Sequence, residues 1–400
     1  MFKYLNFFKK YPSALLYGFT HAFFSSFGQT FFIGFYGKYI LADFQLSNMD
    51  YGSLYAGVTL LSSFTLSYFG ELMDRKDYRL MSLFIAFGLG FSVLSMSFVT
   101  SLWSLGLVLF CLRLFGQGLA NLHASTLMAK NFVTTRGKSL AIASLGQPFG
   151  EALLPVLLIQ PMLFAFDWQK TWLFHGLFIL SFFPLLVIIL SRYFKGETIQ
   201  EINTNKKAKI SRINLFKDKA FFLLIPTAIA NAFLLTAIFF NIHFLTTEKN
   251  WSPTLVAGGF LAFGITRAIA SLFSGALIDR YSVFRLLNFY LIPIAISISS
   301  LLLPIPIIGI YVFFIFCGIS VGFSSNLFVA IWAEIYGTEH LGAIKGLVST
   351  CIVISTALAP LIIGWQIDQG WALKEITLAM LGYLFFAYLL MIKHPNRRLA

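Results

Sequence analysis

The chain reads as an all-α polytopic membrane protein, with twelve transmembrane helices arranged as two six-helix pseudo-repeats. Three observations predict this. The sequence is 58% hydrophobic and only 11% charged, with a mean hydropathy of +0.81, whereas soluble domains carry about 25% charged residues. Twelve apolar stretches, most of them near the ~20 residues that a membrane-spanning helix needs, succeed one another along the 400 residues. A G-x-L-x-D-R box occurs twice, as Gly70-Glu-Leu-Met-Asp74-Arg75 and as Gly275-Ala-Leu-Ile-Asp279-Arg280, at an offset of 205 residues.

The apolar segments, counted one to twelve, fall near 13–36, 51–70, 80–99, 103–129, 139–163, 172–191, 219–243, 253–275, 284–303, 307–333, 343–366 and 374–392. Lys3, Lys9 and Lys10 resemble the basic start of a signal peptide. The apolar run behind them continues to about Ile40, too long for a cleavable core, so the first segment is expected to be a retained helix. Ser191 to Lys219 is the one long polar stretch and holds eight basic residues. The expected organisation is therefore an N-terminal bundle (1–191), a basic cytoplasmic linker (192–218) and a C-terminal bundle (219–400). The offset of 205 also carries Asn121 onto Asn326, Gly137 onto Gly342 and Pro155 onto Pro360. Two repeated halves are the expected outline of a transporter.

The net charge of +13 would suggest nucleic acid in a soluble chain, but topology accounts for it here. With both termini inside, 23 of the 29 Lys and Arg fall in cytoplasmic segments, four in outer loops (Lys38, Lys170, Lys249, Lys374) and two within segments (Arg113, Arg267). That bias is the positive-inside rule. It predicts a multi-pass protein of the plasma membrane, bacterial by the look of the sequence, with no nucleic-acid partner. Cys111, Cys317 and Cys351 all lie in apolar segments, so no disulfide framework is implied. No metal-binding His-Glu-x-x-His helix and no nucleophile with a base at suitable spacing is present. An enzyme is not expected, nor is a metal or cofactor.

The paired boxes, the six-plus-six layout and the basic linker resemble the major facilitator superfamily of secondary transporters, whose loop signature sits after helices 2 and 8. The resemblance covers the whole chain. It implies that Asp74, Arg75, Asp279 and Arg280 form a cytoplasmic gate that biases a two-state switch, and an Asp beside a helix N-terminus gains about 0.3–1 kcal/mol. A narrower likeness to monocarboxylate porters runs through Gly116-Gln-Gly-Leu-Ala-Asn-Leu-His, Leu127-Met-Ala-Lys-Asn-Phe132 and Arg136-Gly-Lys-Ser to Gly150. Where those porters place a substrate-binding Lys on helix 1, this chain has Gln29. Where their helix 8 carries an Asp, it has Arg267, followed by Ser271.

A charge at the bilayer centre costs about 2.5–3.5 kcal/mol or more, so each one requires a reason. Arg113 lies about 15 Å into segment four and Glu151 about 18 Å into segment five, both near the midplane. One reading is an Arg113–Glu151 ion pair between adjacent helices; another is that substrate or proton competes for one partner. Arg267, in segment eight, has no acid at comparable depth; one reading is that it faces an anion, another that it pairs with helix-end carbonyls or snorkels toward the inner surface. On segment one His21, Ser25 and Gln29 follow helical spacing, as do Arg113, Gln117 and Asn121 on segment four. Asn326 is the repeat mate of Asn121. In the resembled superfamily, helices 1, 4, 7 and 10 line the cavity. Substrate contact is therefore expected at Arg113, Arg267, Gln29, Gln117, Asn121, Asn326 and Ser25, and proton coupling at Glu151 or His21.

The leading expectation is a secondary transporter that moves a small organic anion, a carboxylate, by alternating access, with a proton as possible co-substrate. The expected partners are that solute and the lipid bilayer, and the expected state is a monomer. Two alternatives stand beside it: an exporter of drugs or other metabolites with the same fold, and a transporter-like membrane sensor. The abundant Phe keeps the first open, although segment five lacks the Gly-Pro dipeptide of an exporter signature.

Overall fold

The structure, a computed structural model, describes residues 2–197, 218–337 and 341–393. Most of the expected basic linker (192–218) lies outside the described residues, as do the side chains of Asp74 and Asp279. The described residues form helices and turns and contain no strand. Ten of the helices are long and apolar enough to cross a membrane. The chain divides into two compact units, the first of Met1–Leu46 with Leu54–Ile202 and the second of Ser47–Ser53 with Asn203–Ala400.

Unit 1 begins with α1 (Phe2–Lys10) and α2 (Pro12–Phe24), followed by the short α3 (Thr30–Gly34) and α4 (Gly37–Phe44). Its long helices are α5 (Asn48–Arg75), which starts in unit 2, and α6 (Tyr78–Phe98), α7 (Leu102–Asn131), α8 (Arg136–Ala165) and α9 (Trp168–Arg192). Local sequence sets their ends. Asp77 accepts from the backbone N–H groups of Arg79 and Leu80 at 2.8 and 3.3 Å and so caps α6. Ser101 and Ser104 form a capping box on α7, and Asp167 caps α9 through Lys170 N at 2.8 Å. Each satisfies donors that a helix start otherwise leaves orphaned. Glycine lets α6 and α9 pack backbone to backbone: a Cβ at Gly176 would lie 2.6 Å from Leu94 Cα.

The first apolar segment does not form the continuous helix that its composition predicts. Ser25–Gly28 tighten into a 3₁₀ turn, Gln29 is extended (φ −81°, ψ 155°), and the helix restarts at Thr30. On the other side of this break, α7 loosens into a π-helix over Leu112–Ala120. The two irregularities meet at glycine. A Cβ on Gly116 would fall 2.6 Å from Gly28 Cα, and one on Gly28 would run into the Leu112 carbonyl oxygen. Broken backbone at membrane depth is tolerated where protein buries it, and Ser25, Ser26, Phe27, Gly28 and Gln29 are all buried.

Unit 2 comprises α10 (Lys219–Phe240), α11 (Ile242–Glu248), α12 (Pro253–Arg280), α13 (Val283–Ser300), α14 (Pro306–Tyr336), α15 (Leu341–Asp368) and α16 (Leu373–Ile392). Asp218 caps α10 and Ser252 caps α12, with Pro253 at the first helical position. A Gly318-x-x-x-Gly322 pair brings α14 against α12, so that a Cβ at Gly318 would meet the Phe263 carbonyl at 2.5 Å. This is the small-residue packing that membrane helices use in place of a hydrophobic drive. Also within unit 2, Asp368 accepts from Asn48 N, Asn48 Nδ2 and Met49 N at 3.1, 2.8 and 2.7 Å.

Large apolar side chains on the outside include Phe164 at 95% exposure and Trp103 at 91%. A water-soluble protein would bury such residues; on a multi-pass membrane protein they face lipid.

The start of the linker is tied to unit 1. Glu197 accepts from Thr134 N, Thr134 Oγ1 and Thr135 Oγ1 at 2.9, 2.7 and 2.6 Å, and its own N–H donates to the Asn131 carbonyl at 2.9 Å. Slight burial works against the charged form, but these hydrogen bonds outweigh it and hold the carboxyl below its ordinary 4.5. The stability it contributes is therefore complete above about pH 4.5 and lost as the pH falls through the lowered value. Thermal unfolding of purified protein is expected to show this acid-side loss, and Glu197→Gln to flatten it.

Candidate functional site

The polar residues of unit 1 gather around the break between α2 and α3 and the π segment of α7. Arg113 lies on that segment, 3% exposed. Its guanidinium sits over the Tyr55 ring, 4.9 Å from the centroid, and Nη1 donates to Thr30 Oγ1 at 3.4 Å. Thr30 Oγ1 in turn lies 2.8 Å from the Tyr55 hydroxyl. These contacts replace the Arg113–Glu151 ion pair that depth alone allows, because Arg113 points from α7 toward α3 and α5. Glu151, buried on α8, accepts from Gln147 Nε2 one turn earlier at 3.2 Å.

Ser25 donates to the Ala22 carbonyl at 2.7 Å and to Asn121 Oδ1 at 3.2 Å, and Asn121 Nδ2 bonds the Gln117 carbonyl at 3.1 Å. The structure thus brings Ser25, Gln29, Arg113, Gln117 and Asn121 to one locality. Four polar atoms there are buried without a hydrogen-bond partner: Arg113 Nε, Gln29 Nε2, Gln117 Oε1 and Ser26 Oγ. Buried polar groups are nearly always satisfied, so a cluster of orphans calls for an explanation. Ser26 reaches α8, where a Cβ on Gly150 would collide with its hydroxyl.

His21 lies one turn before Ser25 on unbroken α2; the 3₁₀ turn comes after it, between Ser25 and Gln29. His21 is fully buried, Nδ1 bonds the Tyr17 carbonyl at 2.9 Å, and Nε2 has no partner. A carbonyl can only accept, so Nδ1 carries the proton and Nε2 the lone pair. The His123 ring lies 5.1 Å away. Helical spacing sets His123 apart from Asn121, and the structure agrees, but spacing does not show its neighbour across the bundle. Sequence reasoning misses Tyr55, Thr30 and Ser26 altogether. Segment two offers Tyr55 only as one aromatic among many.

In unit 2, Arg267 on α12 is half-buried, and its backbone N lies 3.0 Å from where a Cβ on Gly318 would sit. Asn326 is exposed and spends its amide on α12, donating to Ser271 O at 3.0 Å and Ser274 Oγ at 2.6 Å. That is the interhelical bonding typical of membrane bundles. Arg75 and Arg280, expected at the gate, are exposed, and the Arg280 guanidinium lies 5.5 Å from the Tyr281 ring centroid. The gate carboxylates, Asp74 and Asp279, fall outside the described side chains. Among the described residues no cluster of His, Cys, Asp and Glu could hold a metal ion.

Residues 19–360 match the family model of the Major Facilitator Superfamily. The chain belongs to that superfamily. No curated protein matches it. Among solved structures it is similar to a bacterial homologue of the human lysosomal transporter Spinster in an inward-facing, unoccupied conformation, with 14% identity and a TM-score of 0.72. That similarity covers 96% of this chain and 97% of the other. A variant of the nucleoside transporter NupG gives a TM-score of 0.74 at 12% identity, over 96% and 99% of the two chains. At such identities the likeness is one of fold. Membership in the superfamily makes the chain a multi-pass membrane transporter and not an enzyme; the particular likeness to monocarboxylate porters is a separate matter.

Proposed function

We propose that this major facilitator protein is a secondary transporter of a small organic anion, a carboxylate, and that Arg113 is its principal anchor. The observation that carries the reading is the buried guanidinium whose Nε has no acceptor. A mid-membrane cation costs about 2.5–3.5 kcal/mol or more, and a cation–π contact returns about 0.5–2. The remainder favours a site that receives an anion. Gln29 Nε2 is a further buried donor without an acceptor, and Gln117 Oε1 an acceptor that a hydroxyl, an amine or water could satisfy. Ser25 and Asn121 would support this wall through their mutual hydrogen bond.

Arg267 and Asn326 are the residues that unit 2 would contribute, and Asp74, Arg75, Asp279 and Arg280 the gate. Glu151 and His21 are the candidates to exchange a proton with the solute's cycle: a monoanion that moves with one proton is electroneutral, whereas an uncoupled charge gains or loses about 2.3 kcal/mol per 100 mV. The charge bias places both termini inside, and a bacterial plasma membrane is the residence that goes with this reading.

A thermal-shift screen of the purified protein tests the reading. Short carboxylates are expected to raise the unfolding temperature, by mass action on the folded state, more than nucleosides, sugars or lipophilic cations. Stabilisation by nucleosides or cations alone would overturn it.

A further inference from the structure

The buried polar atoms that gather at Arg113 differ in kind. Arg113 Nε and Gln29 Nε2 are donors, Gln117 Oε1 is an acceptor, and Ser26 Oγ can act as either. None has a hydrogen-bond partner among the described residues. A carboxylate only accepts, so it can meet the two donors and the serine hydroxyl but never Gln117 Oε1. An acceptor left unmet in a buried site is costly, and native structures rarely keep one. A solute whose only polar group is a carboxylate therefore leaves this wall incomplete.

The backbone holds these groups close together. Arg113 and Gln117 stand one turn apart on one face of α7. A Cβ on Gly28 would fall 3.0 Å from Gln117 N, so the chain that carries Gln29 leaves the break directly against the backbone that carries Gln117. Ser26 lies in the same 3₁₀ turn as Gly28 and is 0% exposed.

Two kinds of solute donor can meet Gln117 Oε1, an ammonium and a hydroxyl. An ammonium would set a second cation one turn from the buried guanidinium, where like charges repel most strongly, and would offer it only a neutral amide oxygen. A hydroxyl is uncharged and both donates and accepts, so it suits Gln117 Oε1 on one side and Gln29 Nε2 or Ser26 Oγ on the other. Three separate side chains are more than one hydroxyl, with its single proton, meets in good geometry.

We propose, on the footing that Arg113 holds a carboxylate, that the transported anion is a polyhydroxylated aliphatic acid of the sugar-acid type, whose hydroxyl groups are read by Gln117, Gln29 and Ser26. The carboxylate supplies charge for the guanidinium, and the hydroxyls satisfy the neutral groups that the carboxylate does not.

Three-carbon solutes test this on the purified full-length protein: propionate, glycerate, glycerol and alanine, titrated at pH 7 in glycerol-free buffer with the unfolding temperature as readout. They share a skeleton and differ in charge, hydroxyls and amine. The shift with concentration yields a Kd for each by mass action. Glycerate is expected to bind about 5- to 150-fold more tightly than propionate, the range set by leaving a buried acceptor unmet, and glycerol not to bind. Gln117→Met, similar in shape but without the amide oxygen, is expected to bring the glycerate-to-propionate ratio close to one, and Ser26→Ala to lower it in part. Loss of stability alone does not move that ratio. Equal binding of propionate and glycerate by the unaltered protein, tighter binding of alanine than of glycerate, or a ratio that survives in both variants overturns the hydroxyl assignment and leaves the anion at Arg113 standing. No binding of either carboxylate, or glycerol bound as tightly as glycerate, overturns the anion reading and the hydroxyl assignment with it.

Discussion

Arg113→Gln is expected to weaken solute binding by about 30- to 4,000-fold, the range that corresponds to losing a desolvated charge partner worth about 2–5 kcal/mol. The fold should survive. The substitution removes a buried cation whose contacts among the described residues are Tyr55 and Thr30, so the unfolding temperature should hold or rise. Arg113→Lys should fall between the two: it keeps the charge but loses the planar guanidinium that stacks on the ring and forks onto a carboxylate. Arg267→Gln has the same expected direction. Equilibrium binding of a labelled carboxylate to purified variants measures this. Unchanged affinity in both Gln variants, with normal folding, would show that neither arginine holds the anion.

The second large effect concerns the backbone contact beneath that site. Gly28→Ala and Gly116→Ala each place a methyl group against main-chain atoms, the Leu112 carbonyl oxygen and Gly116 Cα in one case and Gly28 Cα in the other. Main chain cannot swing aside as a side chain can, so each should cost about 1–3 kcal/mol, at the upper end of overpacking. The double variant should lose less than the sum, because the same contact is already broken. Gly137→Ala is the control, since a Cβ there meets nothing within 4 Å. Chemical or thermal unfolding in detergent reports all four. Additive losses would mean that the two glycines serve different contacts.

Much of the architecture is legible in the sequence. Apolar segment length, the basic bias of the short loops and the repeated Gly70 and Gly275 boxes are one-dimensional signals, and a spanning helix is close to a one-dimensional object. Arg113, Gln117 and Asn121 can be placed together because four-residue spacing keeps residues on one face, and the π winding of Leu112–Ala120 does not undo that. The stripe through His21, Ser25 and Gln29 is regular helix only as far as Ser25. Spacing assumes an unbroken helix, so beyond Ser25 the place of Gln29 is set by the 3₁₀ turn and not by a four-residue repeat.

Depth is also a weaker guide than direction. Arg113 and Glu151 share a depth, yet Arg113 turns to Tyr55 and Glu151 to Gln147. The angle of a side chain about its helix axis relative to a neighbouring helix is tertiary information, and a single sequence does not carry it. The same limit hides the hydrogen-bonded chain Tyr17–Ser82–His123, whose members are separated by 65 and 41 residues.

Whether this transporter carries a small organic anion is tested most directly by uptake of radiolabelled short carboxylates into proteoliposomes under an inward proton gradient, with a lipophilic cation as the competing cargo. The expected result is saturable carboxylate uptake above protein-free vesicles, lost in Arg113→Gln. Collapse of that uptake by a protonophore would bring the proton into the cycle through Glu151 or His21. Transport of the lipophilic cation with no movement of any carboxylate would contradict the anion assignment and leave Arg113 as a structural cation held by Tyr55 and Thr30.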